Sequence, residues 1–91
     1  MRIERELFTD SGDRVVLYME FPQKETRSHE FSCKIGISGS GIEEAARIYG
    51  VDAFQAIILS IRHVPALLGR ASKAAHPRRL LWEFGPLDAD F

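Results

Sequence analysis

The sequence predicts an α+β domain of two layers: a four-stranded antiparallel meander packed on one main helix, with a short C-terminal strand or extended tail. Three observations predict it. Apolar and polar residues alternate along 14–21 and again along 29–38, the period of a half-buried strand. Polar clusters of turn-forming residues separate these stretches. After Asp52, apolar residues recur at helical spacing.

The first strand is expected over about 2–9, where Ile3 and Leu7 give a loose alternation. Asp10, Ser11, Gly12 and Asp13 then read as a hairpin turn. The second strand, about 14–21, points Val15, Leu17, Met19 and Phe21 one way and Arg14, Val16, Tyr18 and Glu20 the other. Pro22 ends it, because proline cannot donate to the ladder. A polar loop at 23–28 leads to the third strand, about 29–38, with Phe31, Cys33, Ile35 and Ile37 on one face. Cys33 is thereby expected to act as a small buried hydrophobe.

The stretch 44–49 is ambiguous. Ser40 and Glu43 form an S-x-x-E capping box and Glu43 to Arg47 are good helix formers, yet a strand would alternate Ala46 and Ile48 against Ala45, Arg47 and Tyr49. Local signals favour a helix. The next element is clearer: Asp52 can cap a helix whose Gln55 closes the box, with Val51 placed as the apolar staple. Phe54, Ile57, Ile58, Ile61, Val64 and Leu68 draw its apolar stripe. A helix over about 53–64 is expected, kinked or broken at Pro65 and continuing to about 72. The tail, 80–91, opens with the stretch 80–84, apolar enough for a short final strand.

The chain of 91 residues allows one domain, 1–91, and its formal charge of −1 argues against a dedicated nucleic-acid coat. A domain this small buries only roughly 60–65% of its unfolded surface, so its stability margin is thin. One cysteine excludes an internal disulfide, and the absence of asparagine excludes N-glycosylation. With no apolar leader and no apolar run of membrane-spanning length, a cytoplasmic protein away from membranes is expected.

Chemistry-bearing patterns are weak. Gly39, Ser40 and Gly41 lack the third glycine of a phosphate loop. His29, Cys33, His63 and His76 show no recognised metal-ligand spacing, and no nucleophile stands in a motif with its base. No catalytic set, cofactor, metal or small-molecule substrate is therefore expected. Charge distribution says more: Arg62, Arg70, Lys73, Arg78 and Arg79 fall in an acid-free segment, 62–79, while the last twelve residues carry Glu83, Asp88 and Asp90. The basic segment either complements the helix dipole or binds phosphate or nucleic acid, although it lacks interleaved aromatics.

One helix covers only one sheet face. The other face would present Phe8, Val16, Tyr18, Lys34, Arg47 and Tyr49, covered either by Leu80, Leu81, Trp82 and Phe84 or by a partner. Phe8, Val16, Tyr18, Lys34, Arg47, Tyr49 and Trp82 are the candidate partner-binding residues.

The residues from Cys33 to Gly39, followed by Gly50, Val51, Asp52, Gln55, Ala56 and Ile57, resemble a group of small bacterial proteins of unknown function. Those proteins have a strand-rich N-terminal half, a G-[IV]-D-x-x-Q-A-[LI] helix start and sometimes a late tryptophan. The resemblance implies that 44–49 is a strand. It implies no reaction, and Pro65 departs from the uninterrupted helix of the group. The resulting expectation is a non-catalytic protein-binding domain, with a toxin-neutralising immunity protein as one specific form. The alternatives are a homo-oligomer using a sheet face or edge, and a phosphate or nucleic-acid binder using 62–79. The expected core is Leu7, Val15, Leu17, Met19, Phe31, Cys33, Ile35, Ile37, Val51, Phe54, Ile57, Ile58 and Ile61.

Overall fold

A computed structural model describes residues 2–82 and 85–86. Strands β1 (Arg2–Thr9), β2 (Arg14–Glu20), β4 (Phe31–Gly39) and β5 (Ile42–Gly50) lie side by side in chain order, each antiparallel to the next. This is the expected meander. The two-residue β3 (Gln23–Lys24) pairs with the start of β4. Since β5 occupies one edge of β4 along its whole length, β3 shares the other edge with β2.

The registers show how. Met19 opposes Ile35 and Gln23 opposes Ser32, so β2 and β3 advance four residues while β4 advances three. Phe21 and Pro22 therefore form a bulge inside one interrupted strand, a site where proline's missing donor costs no ladder bond. The chain takes up pairing again at Gln23, where the sequence suggested only a loop.

The ambiguous stretch is a strand, and a longer one than expected. Ser40 and Gly41 take φ of 54° and 82°, the left-handed pair of a two-residue hairpin turn. Ser40 therefore caps no helix. Glu43 accepts a hydrogen bond from Ser38 across the hairpin. Nine cross-strand pairs, with Ile42 buried and Ile48 half-buried, outweigh the local helix propensity of the Glu-Ala run.

Helix α1 (Ala53–Ala75) crosses one face, packed chiefly on β5 and β4. Asp52 accepts from the Gln55 amide at 2.7 Å, while the Gln55 side chain accepts from the Val51 amide at 2.8 Å. The helix is neither broken at Pro65 nor finished at 72; it runs to Ala75. Pro65 and Ile61 both lie on an exposed side, where water can serve the Ile61 carbonyl that lost its donor.

After His76, β6 (Leu80–Trp82) adds to the outer edge of β1, and β7 (Gly85–Pro86) pairs with β6. The tail thus extends an edge. It sends Leu80 into the core beside Thr9 and places Leu81 beside Phe8 on the opposite face. The expected cover by Phe84 and the side chain of Trp82 lies outside the described residues.

The core contains Leu7, Val15, Ile35, Ile37, Ile42, Leu67, Leu68, Ala71, Ala75 and Leu80. Cys33 is fully buried, as its alternation predicted, and Leu17 and Met19 pack at the margin. Six expected core residues are outside it, of which Phe31, Ile57 and Ile58 are half-buried. Val51, Phe54 and Ile61 are 71%, 74% and 57% exposed. The helix instead turns Ala56, Ser60, Leu67 and Ala71 onto the sheet; the small Ala56, Ser60 and Ala71 let the two layers approach closely.

Candidate functional site

The sheet face away from the helix gathers most of the sequence-predicted candidates. The registers put Phe8, Val16, Tyr18, Lys34, Arg47 and Tyr49 on it together. Tyr18, however, is only 8% exposed and offers no contact surface. Its ring fills the space above Gly36 and is capped by the Arg2 guanidinium, 4.3 Å from the ring centroid. Phe8, Val16 and Lys34 are half-buried, while Arg47 and Tyr49 are exposed. Around them stand ion pairs between Arg2 and Glu4 and between Arg14 and Glu6, both 2.6 Å. That face is mostly a charged, solvated one.

The basic segment does not form one patch. Arg70 reaches Glu44 of β5 at 3.2 Å. Arg78 ties the β4–β5 turn to the helix end: it donates to the Ser40 hydroxyl at 2.6 Å, the Ser40 carbonyl at 3.1 Å and the Ala75 carbonyl at 3.3 Å. Asp13 lies 4.0 Å away. Arg62, Lys73 and Arg79 are exposed.

The apolar surface lies elsewhere, at one end of the molecule. Six large hydrophobics are exposed among the described residues: Ile3, Phe21, Tyr49, Val51, Phe54 and Ile61. Ile3 opens β1 opposite Met19, and Phe21 follows β2 at the same end. Tyr49 closes β5, whose last residue opposes Phe31 at the start of β4. Val51 and Phe54 stand at the helix entry, and Ile61 is two turns further on.

The helix orientation follows from Gly50 and Arg70. A Cβ on Gly50 would lie 2.5 Å from the Ala56 amide nitrogen, so glycine lets the helix start tightly against the strand it leaves. Arg70 marks the flank that faces β5. Ile61, nine residues earlier, lies about 180° around the helix, on the flank toward β2 and β1. There the sheet floor of Ile3, Leu17 and Met19 is only partly covered. A shallow cleft of about 400 Å³ lined by Arg2, Glu20, Phe21, Pro22 and Gln23 opens at the same end.

A family model described as Domain of unknown function (DUF6968) matches residues 3–90. The chain belongs to that family. No curated protein and no solved structure matches it. Among the described residues of this DUF6968 domain, no three His, Cys, Asp or Glu side chains converge as metal ligands. Cys33 is sealed in the core, and no helix among the described residues is long and apolar enough to cross a membrane. Sequence reasoning found the helix entry of the DUF6968 chain but assigned its apolar residues to the core. The distinguishing signal was the second stripe of small residues, Ala56, Ser60, Ala71 and Ala75, on the same helix.

Proposed function

We propose that this DUF6968 protein is a non-catalytic protein-binding domain that docks a different protein on its apolar end. One observation carries the reading: the exposed large hydrophobics of an elongated body, 44 × 24 × 22 Å, gather at one end. Leaving Phe54 and Ile61 in water forgoes on the order of 1.5–3 kcal/mol each, a sizeable cost for a small domain. Burial against a partner recovers it, as in the apolar centres of protein interfaces. A toxin is one partner of this kind, and an immunity protein is the form the reading then takes. Arg2, Glu20 and Asp52 at the rim supply charges of both signs for specificity.

A photo-crosslinking residue at position 54 tests this in the native host. One stoichiometric protein should be captured there, not from position 62 on the outer face of the helix, and Ile61→Ser should abolish capture. Equal capture from both positions, or none from 54, defeats the reading.

A further inference from the structure

We propose a second interaction surface, which meets the apolar end at Tyr49: the free edge of β5 pairs antiparallel with β5 of a second copy, joining two sheets. β5 is nine residues long, regular, without a bulge or proline, and pairs on one side only among the described residues. Edges resist pairing through proline, bulges or charged side chains, and charges oppose a second copy where like signs meet across the seam. β5 carries Glu43 and Arg47, of opposite sign and symmetric about Ala45.

The backbone fixes which residues can meet. Gly39 and Ile42 close the two-residue turn, and such a pair exchanges both of its N–H···O bonds. Alternation from there turns Glu44, Ala46 and Ile48 toward β4, and Glu43, Ala45, Arg47 and Tyr49 outward to the open edge. A two-fold axis through Ala45 sets Ala45 against its own copy and Glu43 against Arg47 of the other chain, twice. All of these groups face outward and are ready to bond. Sliding by two residues loses both charge pairs; sliding by four opposes Arg47 with Arg47 or Glu43 with Glu43. Charge therefore selects one register.

Within one chain Glu43 and Arg47 stand about 13 Å apart along the strand, beyond ion-pair reach. Among the described residues neither makes an ion pair: Glu43 accepts from the uncharged Ser38 hydroxyl, and Arg47 donates to the Ser32 hydroxyl at 3.1 Å. On the helix face the same register sets the half-buried Ile48 against Ile42 of the other copy. Glu44 and Arg70 next to the axis already neutralise each other.

Sedimentation equilibrium of the full chain decides it. The wild type should sediment at twice its 10.3 kDa chain mass at tens of micromolar. Glu43→Arg and Arg47→Glu should each weaken association by tenfold or more, and the double exchange should restore it. Ala45→Pro, which removes a donor aimed only at the open edge, should give a folded monomer by circular dichroism. A monomeric wild type overturns the proposal. So do single reversals that leave the dimer intact, or a double exchange that stays monomeric.

Discussion

The phenol ring of Tyr18 on β2 occupies the volume that a side chain at Gly36 on β4 would need: a Cβ there would stand 2.5 Å from Cζ and 2.8 Å from Cε1. An aromatic covering a cross-strand glycine keeps the solvated sheet face closed without a second helix. Gly36→Ala should therefore force the ring out and cost about 1–3 kcal/mol in urea unfolding. In a Tyr18→Ala background the same change should cost less than half as much, because the clash has gone. Additive losses would show that the ring does not depend on the glycine.

The helix entry predicts a graded series across three successive residues. Asp52→Ala removes the 2.7 Å bond to the Gln55 amide and should cost about 0.5–2 kcal/mol. Gly50→Ala should cost more, since its Cβ meets backbone, the Ala56 nitrogen and Cα, which cannot swing away. Val51→Ala, at 71% exposure, should stay within about 0.5 kcal/mol. A large Val51 effect in thermal unfolding would mean that it staples the helix after all.

The series also shows what was legible. Asp52 and Gln55 announce their roles because capping is local chemistry, read from residues three apart. The run from Glu44 to Tyr49 misleads for the opposite reason: its strand is held by pairing with Phe31 to Gly39, contacts that no local window contains. The apolar end was hidden by a different ambiguity. Phe54 and Ile61 have the spacing of a core stripe, and spacing alone cannot tell a stripe facing the sheet from one facing water. Tyr18 erred the other way, since its burial depends on Gly36 and Arg2 lying beside it.

Arg78 joins the β4–β5 turn, the helix end and the β1–β2 turn through one guanidinium. Its hydrogen bonds are part-buried, whereas the 4.0 Å contact with the largely exposed Asp13 adds little. Arg78→Ala should cost about 1–3 kcal/mol, and Arg78→Lys should recover only a minor part, because an ammonium cannot span Ser40 and Ala75 together. Arg79→Ala, exposed one residue later, should be silent. Equal losses at 78 and 79 would reduce the clasp to a general effect of positive charge.

The helix should respond to mutation against the expectation from hydrophobicity alone. Ala71 is fully buried against the sheet, so Ala71→Leu adds volume where none is free and should cost about 1–3 kcal/mol, although it raises hydrophobicity and helix propensity is nearly unchanged. Phe54→Ala deletes a large apolar side chain that is 74% exposed, and it should change stability by less than about 0.5 kcal/mol. The same change should lower the binding of an apolar dye such as ANS, since the deleted ring belongs to the exposed end. If Phe54→Ala instead cost the 3–5 kcal/mol typical of a core phenylalanine, the helix would have to lie on the sheet by its other face. The small-residue stripe would then be the outer one, and the apolar end would no longer be a surface.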